Sequence, residues 1–251
     1  RWELYNIADD FSQGVDLAEQ FPDKLAELKA IFDREARAYN VYPLNDETTT
    51  RALPDRRPSL LEGKTTTTYF ADHVRVAEMS TINFKNTSFA LAAQLQIPAG
   101  GASGVVICQG GSMAGWTLYL RDGVPSYTYN YLGHDVSTIS AEQPLAEGPA
   151  TLTLSFDYDG GGLGKGGTAT LSVDGDTVAT GRIEQTVPFL FSMSGETLDV
   201  GVDTGSPVGP YPAEFRFTGT IDRIDVILRP PGEEHNEAVA QGELRGALGT
   251  Q

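Results

Sequence analysis

Two Asp-Gly pairs constrain this chain more than any other feature. Asp122-Gly123 joins Gly115–Arg121 to Val124–Leu132, and Asp174-Gly175 joins Thr168–Val173 to Thr177–Ile183. The flanking runs are rich in residues that suit a pleated surface, and an Asp-Gly pair supplies the positive backbone angles of a tight hairpin. Two such hairpins commit the chain to antiparallel pairing. Phe89, Leu91, Ala93, Leu95 and Ile97 alternate cleanly with smaller or polar neighbours, and so do Leu152, Leu154, Phe156 and Tyr158. Lys64–Phe70, His73–Met79 and Gly104–Gln109 add shorter candidates, with a turn at Asn83–Thr87. The closing run of Phe217, Ile221, Ile224, Val226 and Leu228 alternates less strictly. About a dozen short strands at this spacing describe a mainly β chain folded as an antiparallel β-sandwich of jelly-roll type.

A different pattern precedes the strands. Trp2, Leu4 and Ile7 suit a short strand or turn, and Asp16 followed by Glu19 suits a capping arrangement. Pro22 falls where a first helical position tolerates it. Leu25, Leu28, Ile31, Phe32, Ala36 and Tyr39 then recur at three- and four-residue spacing, with charged residues between them. That is an amphipathic helix whose apolar side packs on a neighbouring domain. The resulting division is 1–42 for the terminal strand and helix, 43–63 for a proline-punctuated linker, 64–229 for the β-sandwich and 230–251 for a flexible tail.

Charge excludes several functions. The 34 acidic and 18 basic side chains leave a net charge of −16. Duplex affinity rests on Lys and Arg neutralising phosphates, so nucleic acid is not an expected partner, and an anionic membrane is not either. No apolar run approaches membrane-spanning length and no stretch of the given sequence reads as a signal peptide, so the compartment is left open. The chain starts at Arg1 inside an ordered pattern, which suggests a fragment. Cys108 is the only cysteine, so there is no disulfide framework, and it lies in an apolar run where a buried, inert thiol is expected.

Few constellations carry chemistry. The glycine-rich stretch 159–167 holds Lys165, but Gly166 stands where a phosphate loop needs Ser or Thr, so a strand-connecting loop is expected. His73, His134 and His235 follow no metal spacing. Ser137 lies too close to His134 and Asp135 along one strand to act as a nucleophile. Carboxylates occur in pairs, yet no Glu-x-Asp-x-Glu run places an acid and a nucleophile on one face, which speaks against a glycosidase. Asp199 and Asp203 could hold calcium, although solvated loop carboxylates are the commoner outcome. No catalytic and no metal-ligating residue is assigned. The one positive signal is aromatic: Trp116, Tyr127, Tyr129 and Tyr131, with Asn130 as a polar anchor, lie on the two strands joined by Asp122-Gly123. Tyr127, Tyr129 and Tyr131 share one face, which either stacks sugar or aryl rings or fills the space between sheets.

Several segments resemble a known family. Trp2-Glu3-Leu4-Tyr5-Asn6, Asp16-Leu17-Ala18 and the helix 25–40 look like the C-terminal end of a bacterial arylsulfatase. The stretches 114–119, 129–133, 159–167 and 203–208 are similar to the extra C-terminal module of the larger members, and Phe217–Asp222 is an ending common to many concanavalin-like sandwiches. The resemblance covers residues 1 to about 228. It implies a sulfuric ester hydrolase whose catalytic domain lies upstream and is the partner in cis. It also implies a sugar or aryl sulfate ester as the ligand to look for. Calcium and a formylglycine, made from Cys or Ser in Cys/Ser-x-Pro-x-Arg, are expected in that domain. This chain needs no cofactor of its own: Cys108 is followed by Gln109, Gly110 and Gly111, without the Pro or the Arg. On this reading the chain is an accessory sandwich that is inactive by itself. The alternative is a stand-alone, lectin-like carbohydrate-binding module.

Overall fold

The computed structural model describes residues 1–44, 61, 63–192 and 194–229. The expected linker lies almost wholly, and the tail wholly, outside the described residues. The chain divides into two units, Arg1–Glu47 and Thr48–Gln251.

The first unit is a looped segment and one helix, α1 (Pro22–Ala38). Pro22 sits in the first helical turn, as its missing N–H predicts. Asp16 does not cap the helix. Phe21 holds the N-cap position with no side-chain bond, while Asp16 Oδ1 accepts from Leu4 N at 3.0 Å and Ala18 N at 2.9 Å. Leu17 N donates back to Leu4 O at 2.7 Å. The carboxylate therefore ties the first segment, which pairs with no strand among the described residues, to the turn before the helix. Trp2 meets Phe32 edge-on at 5.4 Å, and Phe32 meets Tyr42 at 6.2 Å. Among the described residues of this unit only Ala18 and Ala36 are buried, while Phe11, Val15, Phe21, Leu28 and Ile31 are exposed.

The second unit is the expected antiparallel β-sandwich. Its strands are β1 (Thr66–Tyr69), β2 (Val76–Ala77), β3 (Ser88–Ile97), β4 (Gly104–Gly110), β5 (Gly115–Arg121), β6 (Val124–Tyr131) and β7 (Asp135–Ser140), continued by β8 (Gly148–Tyr158), β9 (Gly167–Val173), β10 (Asp176–Ile183), β11 (Thr197–Val200) and β12 (Thr220–Arg229). One six-stranded sheet runs β1-β12-β3-β8-β9-β10 and the other runs β2-β11-β4-β5-β6-β7. The alternation of β3 is met by that of β8: Phe89, Leu91 and Ala93 stand opposite Phe156, Leu154 and Leu152, all buried. The loose alternation of the last strand has a physical cause. The register of β12 slips between Ile221 and Arg223, so Asp222 is an extra residue and both Ile221 and Ile224 turn inward.

A buried ion pair closes one region of the sandwich. Lys85 Nζ lies 2.6 Å from Glu78 Oε1, and both side chains are nearly inaccessible. Glu78 Oε2 accepts from Phe191 N at 3.0 Å, and the Phe191 ring lies 4.9 Å from the Lys85 ammonium. The pair fixes the segment between β10 and β11 against the core. The glycine-rich stretch after β8 is pinned rather than loose. Asn86 Oδ1 accepts from Gly164 N at 2.9 Å, Tyr158 Oη accepts from Lys165 N at 2.8 Å, and Thr186 Oγ1 donates to Lys165 O at 2.7 Å. Those bonds turn the backbone at Gly164 and Lys165 toward the protein.

Candidate functional site

The second sheet places the aromatic candidates between the sheets. Trp116 is 1% exposed and packs edge-on against Phe84 at 4.9 Å. Tyr127 is fully buried, Tyr129 is buried with its hydroxyl accepting from Val187 N at 2.8 Å, and Tyr131 is half-buried against the same core. Burial pushes the phenols of Tyr127 and Tyr129 up, so both stay neutral. The rings share one face, as their spacing requires, but it is the inward face. They form no open stacking platform. Asn130 points the other way and is also buried. Its Nδ2 donates to Ser112 O at 2.9 Å, and its Oδ1 accepts from Gly133 N at 2.9 Å, which locks two hairpin tips side by side.

Part of the outward face of this sheet is covered as well. One register row crosses it as Asp199, Cys108, Thr117, Thr128 and Thr138, from β11 to β7. A strap spanning 201–219 lies over the β11, β4 and β5 end of this row, while Thr138 at the other end is exposed. Val208 and Tyr211 pack on Val105, Cys108 and Tyr119, and Tyr211 stacks on Phe215 with ring centres 5.5 Å apart. The strap approaches so closely that a Cβ on Gly104 would fall 2.3 Å from Arg216 O, and Gly104 has a φ of +121°. No residue but glycine fits there.

Two carboxylates anchor the strap, and this was not legible beforehand. Asp199 and Asp203 are each 1% exposed, where sequence reasoning expected solvated loop residues. Asp199 accepts from Arg75 N, from Thr204 N at 2.8 Å and from Thr204 Oγ1 at 2.7 Å. Asp203 accepts from Tyr211 Oη at 2.8 Å and from Gly205 N and Val208 N at 3.2 Å. Burial holds the Asp203 carboxyl above its usual range, and the same burial pushes the Cys108 thiol well up. Their ligand atoms and that of Cys108 converge within 4.8 Å. N–H and O–H donors engage both carboxylates, so the arrangement is a latch for the strap. Cys108, inaccessible and protonated, is no nucleophile and does not fit a formylglycine precursor.

The remaining titratable candidates do not converge. His73 Nδ1 accepts from Phe70 N at 3.3 Å, His134 is exposed, and His235 lies outside the described residues. Ser137 Oγ donates to Asp135 Oδ1 at 3.4 Å rather than to a histidine.

Two open concavities lie along one side of the sandwich, where β7 and β10 end their sheets. A cavity of about 560 Å³ is lined by Ser137, Thr138, Ser140, Thr180 and Arg182 among others. A second of about 310 Å³ is lined by Leu145, Pro149, Val173 and Asp174 among others. Glu142 and Val178 line both, so the two form one groove.

No protein-family model and no curated protein matches the sequence. Among solved structures, the chain is similar to Ruminococcus gnavus IT-sialidase CBM40, at 16% identity over 62% of this chain and 83% of that one, with a TM-score of 0.42. It is similar to the K499G mutant of NanB sialidase from Streptococcus pneumoniae at 14% identity, over 69% of this chain and 27% of that one, with a TM-score of 0.45. A putative carbohydrate binding protein from Bacteroides ovatus matches at 14% identity, over 66% of this chain and 44% of that one, with a TM-score of 0.42. These likenesses are loose, and the sandwich rests on its own strand pairing.

Proposed function

We propose that this chain is the C-terminal region of an arylsulfatase-like sulfuric ester hydrolase, in which the sandwich is an accessory module without a catalytic centre. The observation that carries the reading is the apolar surface of the first unit. A unit of 47 residues in which, among the described residues, two alanines alone are buried has little core of its own, and so small a domain is marginal unaided. Its exposed Phe21, Leu28 and Ile31 call for a larger body to pack against. The resembling motifs are the ones that Asp16 ties together, Trp-Glu-Leu-Tyr to Asp-Leu-Ala. Formylglycine chemistry and calcium would belong to the partner domain, since Cys108 is buried without the motif's Pro and Arg. The test is the peptide map of the natural polypeptide together with its activity on an aryl sulfate. An upstream Cys or Ser in Cys/Ser-x-Pro-x-Arg, converted to formylglycine, is the expected result. A natural polypeptide without that motif, or without sulfate-ester hydrolysis, would sink the reading.

A second reading, a carbohydrate-binding module, is favoured by one observation: the groove along β7 and β10 is open and rich in hydroxyls, whereas the aromatic face is closed. The two readings are compatible, because an accessory module of a hydrolase can hold part of its substrate.

A further inference from the structure

The groove between the last strands of the two sheets combines features that select a ligand class. Its floor is closed where Ile139 of β7 packs on Gly181 of β10; a Cβ on Gly181 would meet Ile139 Cγ1 at 2.5 Å. Two hydroxyl pairs stand on the β7 wall, Ser140 with Ser126 and Thr138 with Thr128, each 2.8 Å apart. A hydroxyl offers one donor and two acceptor sites, so each pair keeps capacity for a further partner. Glu142 is exposed at the junction of the two cavities and accepts only. Leu145, Pro149 and Val173 give the other end an apolar lining.

Charge narrows the choice. Arg182 is spoken for: its guanidinium forks onto Asp159, with one bond of 2.7 Å, and lies 3.8 Å from Glu184. Among the described lining residues the groove thus presents carboxylates without a free cation to match an anion. Such a lining gives sulfate, phosphate and sialic carboxylates no counter-charge. The β10 wall also discourages an extended peptide, because its register slips between Thr177 and Ala179 and interrupts the regular ladder that strand addition needs.

We infer that this groove binds a neutral oligosaccharide lengthwise, its hydroxyls donating to Glu142 and to the β7 hydroxyls while carbon-bound ring faces rest on Leu145 and Val178. The inference rests on the carbohydrate-binding reading and goes beyond it by naming the site and the uncharged class. The experiment is titration calorimetry of the full chain with a panel of neutral, sulfated and sialylated oligosaccharides, repeated on Glu142→Ala and Thr180→Trp. Both positions are exposed, so the variants leave the fold intact, which far-ultraviolet circular dichroism checks. Binding of neutral members, weakened at least tenfold by Glu142→Ala and abolished by Thr180→Trp, is the expected result. Binding that neither variant alters overturns the groove and leaves the carbohydrate reading standing. Preference for charged members overturns the uncharged class. A groove-dependent extended peptide with no sugar binding, or no sugar binding of any kind, overturns both the inference and the reading beneath it.

Discussion

The two units of this chain solve the problem of burying apolar surface in opposite ways. In the sandwich, Leu91, Leu118, Leu152, Leu154 and Leu171 are fully buried, and even part of the outward face of one sheet is covered. In Arg1–Glu47 Phe11, Phe21, Leu28 and Ile31 face solvent, and order comes from carboxylates such as Asp10 and Asp16, a short aromatic contact chain and a helix. Each fully buried Leu contributes about 2 kcal/mol relative to exposure. The sandwich therefore carries its own stability, whereas the helical unit has little of its own to lose. A fold can be finished in one part of a chain and remain a half-surface in another.

The comparison is broken or sharpened by substitution. Leu154→Ala in the sandwich is expected to cost about 3–5 kcal/mol in urea unfolding followed by tryptophan fluorescence, whereas Leu28→Ala on the helix should shift the same curve by under about 0.5 kcal/mol. Equal effects would mean that the two units unfold as one. Lys85→Met comes next, at about 3–4 kcal/mol, because Glu78 is left charged and buried. The double variant Lys85→Met, Glu78→Leu should recover most of that loss, and failure to recover would show that the pair does more than compensate its own burial. Asp199→Ala should cost about 2–3 kcal/mol by orphaning the strap's donors, with faster amide exchange confined to 201–219.

A smaller effect depends on pH. Burial raises the folded-state value of Asp203 above its unfolded one. A raised carboxyl favours the protonated form in the fold, so its contribution is fully present below the unfolded value and is lost as pH rises through the folded value. Asp203→Asn should therefore flatten the fall in stability as pH rises from the ordinary carboxylate range toward neutrality. Parallel pH profiles for the two proteins would refute this. A local change is expected for Asp16→Ala, about 1 kcal/mol, seen as faster exchange at Leu4 and Ala18 with the sandwich melting point unmoved.

The strands and the helix were legible because they are written in local periodicity. Alternation marks β3 and β8, Asp-Gly marks two hairpins, and Pro22 marks the start of α1. The site was less legible. A period of two says that Tyr127, Tyr129 and Tyr131 share a face, but not which face meets the other sheet. Asp199 and Asp203 sit among glycines and look like loop residues, because the burial that defines them comes from aromatics further along, at Tyr211 and Phe215. The groove is equally non-local. Its walls, β7 and β10, pair with neighbours inside different sheets, so nothing in either segment announces the other. Asp16 misled in an instructive way. An acidic residue a few positions before a helix suggests a cap, yet the same carboxylate geometry can bind a chain segment that returns from further upstream.

The strap also gives the molecule a clock. Cys108 is the only thiol in the chain, and it lies beneath residues that must lift before any reagent can reach sulfur. Its rate of alkylation in the native protein therefore counts openings of one particular segment, not global unfolding, whenever the segment opens more often than the sandwich melts.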